Sequence, residues 1–305
     1  MATLNVNRKK TAKKYTLQEK IFVYAWLFVP LLQFFIMWIL VKADSLVLAF
    51  QDYDEGSYYL VGLDNFKQII ADYFTGDRLL LKLTGNSMAI FFVSLVLMPI
   101  PIYISYVLWK KIPFANFFKV LMYVPCIVPG MVTTLAFRYF MGLGLPELFG
   151  NPQLSTIITD NETMTVSLFI YSFWIGLGGS FVINLGAMSA VDQSLVEYGK
   201  LDGLDFFQEF FHIVLPKIWP TIIVQVIAKF STMLNADVGL FSFFRETKFE
   251  NPFSNLGYHE AVLTLHGPTN YGYLSALGLI KSAILIPIIY LVRWLMEKFG
   301  PSEDM

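Results

Sequence analysis

Cysteine is almost absent from this 305-residue chain, and charge is scarce. The single cysteine, Cys126, excludes an internal disulfide framework and a cysteine-based zinc site. Only 15% of the residues are charged, where an ordinary soluble domain carries about a quarter. The 22 basic and 23 acidic residues leave a net charge of −1, so the basic excess that neutralises nucleic-acid phosphates is missing. No G-x-x-x-x-G-K-[ST] phosphate loop occurs, since the one Gly-Lys pair, Gly199-Lys200, is followed by Leu201. The Gly142-Leu-Gly144 and Gly176-Leu-Gly178-Gly179 stretches lie at or within apolar segments and are not nucleotide fingerprints. What fills the chain instead is apolar: 56% of residues are hydrophobic and 17% aromatic. Such a composition belongs to an integral membrane protein.

A helical span needs about 20 mostly apolar residues, because a rise of about 1.5 Å per residue must cross about 30 Å of hydrocarbon. Six segments meet that length: 21–41, 86–109, 118–140, 164–189, 217–238 and 273–297. None alternates with the two-residue period of a membrane barrel strand. The first is too long for a cleaved signal peptide, and no small-x-small site precedes the acidic stretch after it. The expected fold is therefore an all-α integral membrane protein with six transmembrane helices.

Basic residues set the expected orientation. Arg8, Lys9, Lys10, Lys13, Lys14 and Lys20 precede the first span, and Lys110, Lys111 and Lys119 link the second to the third. The opposite loop is acidic, with Asp44, Asp52, Asp54, Glu55, Asp64, Asp72 and Asp77, and loop 141–163 has no basic residue. The expected organisation is a cytoplasmic segment 1–20, a first span 21–41, an extracytoplasmic loop 42–85, a core of five spans over 86–297, and a cytoplasmic tail 298–305. Loop 190–216 then lies inside the cell.

That inner loop carries helix signals. Ser194-Leu-Val-Glu197 reads as a capping box, Gly203 breaks the helix, and Asp205-Phe-Phe-Gln208 reads as a second box that restarts it. Leu204, Phe207, Phe211 and Val214 form an apolar stripe at helical spacing, edged by Asp202, Asp205, Gln208 and Glu209. Pro216 suits the first turn of the fifth span. On pattern alone the loop is either an interfacial anchor or a docking element.

Glu197-Tyr-Gly-Lys-Leu-Asp-Gly203, nine residues, then Ile213-Val-Leu215-Pro216 resembles the EAA motif of ABC importer membrane subunits. Tyr198 and Gly199 stand where that family usually has two alanines. Val61-Gly-Leu-Asp-Asn-Phe66, Trp174-Ile-Gly176, Leu185-Gly-Ala187 and Tyr273-Leu-Ser-Ala-Leu-Gly278 resemble further stretches of its carbohydrate-importing, maltose-type branch. The resemblance covers roughly residues 20–297. The loop from Val238 to Arg245 departs from the family's T-x-G-G-P stretch.

The resemblance implies a binding-protein-dependent permease subunit in a bacterial-type plasma membrane, paired with a second, homologous permease. Two ATP-binding subunits sit beneath it and hold the ATP and magnesium, so this chain needs no cofactor of its own. An extracytoplasmic solute-binding protein delivers the saccharide. The docking site for the ATPase would comprise Glu197, Tyr198, Gly199, Asp202, Gly203, Phe207, Ile213, Leu215 and Pro216. Glu197 would be the charged anchor and Gly203 the turn that presents the helix.

The ionisable residues within spans are Lys229, near the middle of the fifth, and Lys281, placed to snorkel from the sixth, with Arg138 closing the third. A lysine at mid-membrane costs about 2.5–3.5 kcal/mol on insertion scales unless it faces water, a partner or the bundle interior. Lys229 therefore either pairs within the assembly, for example with Asp237, or lines the pathway. The family's sugar-contacting faces map here onto Lys229, Thr232, Met233 and Ala236 of the fifth span and Trp174, Ile175, Gly176 and Gly179 of the fourth. A cation on such a face points to an acidic saccharide. His212 lies on the docking segment, while His259 and His266 share an outer loop that offers no third metal ligand. Two other classes compete: an ion-coupled secondary transporter, which needs midplane carboxylates and related halves, and a membrane scaffold, which needs no docking motif.

Overall fold

A computed structural model describes residues 16–75, 78–158, 161–236, 239 and 255–301. The basic residues at 8–14, Asp77, Asp237, the 240–254 stretch and residues 302–305 of the expected tail lie outside them.

Helix α1, Leu17–Phe34, starts at a capping box in which the Thr16 hydroxyl accepts from the Glu19 N–H and the Glu19 carboxylate accepts from the Thr16 N–H. A π turn at Phe35–Leu40 carries it into α2, Val41–Leu48. No residue of α1 is buried, and Trp26 and Phe28 stand 72% and 61% exposed. A rod that apolar is stable only against lipid or a partner helix.

The expected extracytoplasmic loop is folded. Strands β1, Gln51–Asp54, and β2, Ser57–Leu60, pair antiparallel with Gln51 opposite Leu60. Their two-residue turn uses Glu55 and Gly56 at φ +44° and +90°, the positive values such hairpins require. Helix α3, Asp64–Phe74, follows. Its buried Asn65 donates to the carbonyls of Ala49 and Gln51 at 3.1 and 2.9 Å, locking helix to hairpin. The Phe66 ring completes the joint against Phe50 at 5.4 Å.

Helices α4, Leu79–Val96, and α5, Pro99–Trp109, run as one apolar rod. The segment expected as one span over 118–140 is split instead into α6, Ala115–Ile127, and α7, Gly130–Tyr139. Val128 turns extended, with ψ 133°, because the ring of Pro129 clashes with a helical residue before it. A short α8, Leu145–Phe149, precedes α9, Asn161–Ser189. The inner loop holds α10, Gln193–Leu201, and α11, Phe206–Glu209. Then come α12, Leu215–Thr232, α13, Leu256–Leu265, and α14, Tyr271–Phe299. Among the described residues five helical runs are long and apolar enough to cross a membrane: Leu17–Leu48, Leu79–Trp109, Val166–Ser189, Phe206–Thr232 and Pro268–Phe299.

Two buried clusters stack along the bundle. One joins Ala49, Ile69, Leu83, Phe91, Leu256 and Leu277; the other joins Ile102, Tyr106, Met188, Phe210, Val214 and Ile222. Leu95 and Phe230 pack against both and so bridge them. Helices α6 and α9 approach so closely at Gly178 that a methyl there would lie 2.6 Å from Cys126 Sγ and 2.9 Å from the Met122 carbonyl.

Helix α14 marks the two ends. At its start, a methyl on Gly272 would meet the Gln51 carbonyl at 2.0 Å, so the hairpin caps this end. At its finish the Trp219 indole donates to the Met296 carbonyl at 3.1 Å, beside the α10–α11 loop. A cysteine at Asp54 and one at Asp205, each in a Cys126→Ser background, are therefore expected to react with an impermeant thiol reagent from opposite faces of the membrane. Reaction of both from one face would overturn this placement.

Candidate functional site

The α10–α11 loop is a helical hairpin whose inner and outer faces differ. Helix α10 begins at Asp192, whose carboxylate accepts from the Ser194 N–H at 3.0 Å. The expected capping box at Ser194 and Glu197 does not form, because Asp192, two residues earlier, already supplies the cap. This frees Glu197, which projects from an exposed face with Tyr198 and Leu201. Val196 and Gly199 face inward. Gly203 takes φ +79°, and the Leu204 N–H returns to the Gly199 carbonyl at 3.0 Å, which turns the chain. The second expected box is present: the Asp205 carboxylate accepts from the Gln208 N–H at 2.7 Å, and Gln208 accepts from the Asp205 N–H at 3.0 Å.

Gly199 explains one departure from the family pattern. A methyl there would lie 2.5 Å from Ile213 Cδ1 and 3.0 Å from Leu204 Cδ1. Its absence lets α10 seat directly on the π turn at Phe210–Val214 that leads into α12 at Pro216. The expected apolar stripe is half right. Val214 is buried, but Phe207 and Phe211 are more than half exposed, and Phe210 is buried in their place. The π turn adds a residue to the helical repeat and so rotates which ring points inward.

Glu209, expected at a polar edge, is instead 3% exposed. Lys110 Nζ donates to both its oxygens at 2.6 and 2.8 Å, and the Tyr106 hydroxyl lies 3.0 Å from Oε1 and from the Phe206 carbonyl. The Tyr106 ring contacts Phe206 at 4.7 Å and Phe210 at 4.9 Å, and Tyr103 stacks on Phe207 at 5.8 Å. The loop is thus bolted to the end of α5. Its signal in the sequence is a lone carboxylate set among four phenylalanines, Phe206, Phe207, Phe210 and Phe211.

A cavity of about 120 Å³ lies between α4, α9 and α12. Lys229, Thr232, Met233 and Ala236 all line it, facing Ser87, Ser94 and Ser172. Lys229 and Thr232 of α12 and Met233 and Ala236 just beyond its end thus line one cavity. The expected α9 positions do not. Trp174 stacks on Phe137 at 6.1 Å, and Ile175 packs against the same apolar cluster. A methyl added at Gly176 or Gly179 would meet nothing within 4 Å, and the close-packing glycine of α9 is Gly178.

The two lysines differ sharply. Among the described residues the Lys229 ammonium has no hydrogen-bond or carboxylate partner. Lys281 does not snorkel. It is 5% exposed, paired with Glu260 of α13 and bonded to the Asn235 side chain at 2.6 Å. His259 and His266 lie on and at the end of α13 rather than in an open loop. Burial holds the His259 pKa below its ordinary value, and Asp72 opposes that shift.

Residues 96–303 match the family described as "Binding-protein-dependent transport system inner membrane component". The chain belongs to that family. Membership makes it a membrane component of an ABC importer, a transport permease and not an enzyme. The chain is 27% identical over 320 residues to the polygalacturonan/rhamnogalacturonan transport system permease protein YteP of Bacillus subtilis, covering 95% of this chain and 94% of that protein. It is 25% identical to the multiple sugar-binding transport system permease protein MsmF of Streptococcus mutans over 80% of this chain and 83% of that protein. Its fold matches the crystal structure of a bacterial ABC transporter involved in import of the acidic polysaccharide alginate, with TM-score 0.74 and 16% identity over 92% of this chain and 97% of that one.

Removing one partner of a buried ion pair strands the other charge and costs about 3–5 kcal/mol. Glu209→Ala is accordingly expected to lower the thermal transition of the purified assembly by several degrees. Lys110→Met combined with Glu209→Met is expected to recover much of the loss. An unchanged transition in Glu209→Ala would disprove the bolt.

Proposed function

We propose that this chain is one permease subunit of an ATP-driven, solute-binding-protein-dependent importer of saccharides. It forms half of the pathway, with a second, homologous permease supplying the other half. Two ATP-binding subunits drive it, and an extracytoplasmic binding protein loads it. The observation that carries this reading is the α10–α11 hairpin: an exposed face with Glu197, Tyr198 and Leu201, fixed from behind by Glu209 and Lys110. A rigidly held, outward-facing helix transmits force from an ATPase in a way that a floppy anchor does not.

In this reading α6 and α7 together make one broken span, so six spans leave both termini in the cytoplasm. The chain then divides into the cytoplasmic segment 1–20, the span 21–41, the outer loop 42–85, the core 86–297 with its coupling loop 190–216, and the tail 298–305. Glu197, Tyr198, Asp202, Gly203 and Phe207 offer the contact surface, while Gly199, Ile213, Leu215 and Pro216 support it. Glu197→Ala and Gly203→Arg are expected to uncouple ATP hydrolysis from transport without unfolding the subunit. Glu197 is exposed, and Gly203 has free space around its α-carbon, leaving only a left-handed backbone cost of about 1–2 kcal/mol. Wild-type transport with full ATPase retention in both variants would sink the assignment.

The cargo we propose is an acidic oligosaccharide. Lys229 supports this: an ammonium without a partner among the described residues, in a cavity that also holds Ser87, Ser94 and Ser172, can meet a uronate carboxylate through a charge-assisted hydrogen bond. The relative named for polygalacturonan, a polymer of a sugar acid, points the same way. Thr232, Met233 and Ala236 line that cavity too, and Trp174, Ile175, Gly176 and Gly179 of α9 would reach cargo only in a different arrangement of the bundle. Lys229→Gln is expected to abolish import of an acidic oligosaccharide and its stimulation of ATP hydrolysis while expression and basal hydrolysis persist. Degradation of the variant, or its release from the partner subunit, would make Lys229 structural and remove the argument for substrate charge.

A further inference from the structure

A second cavity, of about 500 Å³, opens where α5 ends, α6 begins, α9 ends and the coupling helix α10 starts. Four lysines line it: Lys110, Lys111, Lys119 and Lys200. Lys110 is already committed to Glu209. The other three have no carboxylate within 4.0 Å among the described residues, and the lining contains no acidic side chain. Ser189 and Gln193 add neutral hydrogen-bonding groups. Three like charges converge on one hollow, where each raises the cost of the others until an anion enters.

The rest of the lining says which anion. Trp109 and Leu185 form its apolar side, and Trp109 is the last residue of the α4–α5 rod, the end of a span being where aromatic rings favour a membrane interface. A ligand that satisfies both parts has a phosphate at its head and hydrocarbon at its tail.

We propose that this cavity binds the headgroup of an anionic phospholipid, with the start of its hydrocarbon against Trp109 and Leu185. Lys200 rides on α10, whereas Lys111 and Lys119 sit on the link between rods and on α6. A headgroup held by all three therefore fastens the coupling helix to the bundle at a point separate from Glu209. Membrane charge would then act on coupling itself. This rests on the chain's spanning a membrane, and its readout does not depend on which solute is carried.

The test uses the complete importer, purified and exchanged into zwitterionic phosphatidylcholine, with phosphatidylglycerol as probe and bound lipids counted by native mass spectrometry. Lysines near an anionic surface contribute about 1 kcal/mol each, roughly fivefold in affinity. Lys111→Gln with Lys119→Gln is therefore expected to weaken phosphatidylglycerol retention by about 25-fold, and Lys111→Arg with Lys119→Arg to keep it. Wild type is expected to prefer phosphatidylglycerol to phosphatidylcholine, and millimolar inorganic phosphate is expected not to displace the lipid. Equal retention of both lipids by wild type would overturn the proposal, as would retention unchanged in the Gln variant. Full displacement by inorganic phosphate would make this a free-anion site and overturn the lipid. Loss of the ATPase subunits from the Gln variant with lipid binding intact would assign the lysines to a protein partner and overturn it too. Should the Gln pair fail to assemble, the comparison of the two lipids on wild type and on the Arg pair still decides.

Discussion

The Glu209 carboxylate is the point on which the architecture at the α10–α11 end of the bundle depends. It is buried, doubly bonded to Lys110 and met by the Tyr106 hydroxyl. A charge at such a site is tolerable only when its lone pairs are filled. The ladder of rings from Tyr103 and Tyr106 to Phe206, Phe207 and Phe210 excludes water around it and surrounds the pair with packed aromatic surface. The hairpin is thereby tied to the end of α5, and α4 runs on from α5 toward the far end of the bundle.

The opposite end relies on neutral hydrogen bonds and close approach. Asn65 fixes the hairpin, Gly272 admits the Gln51 carbonyl, and Asn255 donates to the Ala236 carbonyl at 2.9 Å while the Leu256 N–H donates to Ser87. The Lys281–Glu260 pair adds a charged latch between α14 and α13. Lys281 and Lys229 thus illustrate two uses of a lysine in a span. One is paired and bonded, which offsets the desolvation of its charge. The other lines a small cavity of mixed character, with Ser87, Ser94 and Ser172 beside Ile90 and Phe91, and has no carboxylate partner among the described residues.

Lipid-facing surface shapes the remainder. Helix α1 buries nothing within the chain, and its rings stand outward. The rods meet through the two buried clusters of large side chains, and α6 meets α9 by close approach at Gly178. Without a hydrophobic drive between rods in lipid, close approach such as that at Gly178 supplies the attraction.

Long apolar runs, the bias of basic residues, the Asp205–Gln208 cap and the Glu197 to Pro216 spacing were legible in the sequence because each is local or periodic. Those features determined the helical membrane class and the hairpin before α12, while the grouping of Lys229, Thr232, Met233 and Ala236 came from the family resemblance. Other features were decided only by tertiary contact. Pro129 split a span whose hydropathy reads as continuous, because the backbone clash is invisible to an average over side chains. A π turn rotated the buried ring from Phe207 to Phe210. Trp174 went to Phe137 rather than to the Lys229 cavity. Glu209 met Lys110 across 99 residues of chain, and Lys281 met Glu260 on a helix that reads as loop. No window along the sequence contains both partners of such a pair, so their burial and their charges' compensation exist only once the helices have packed.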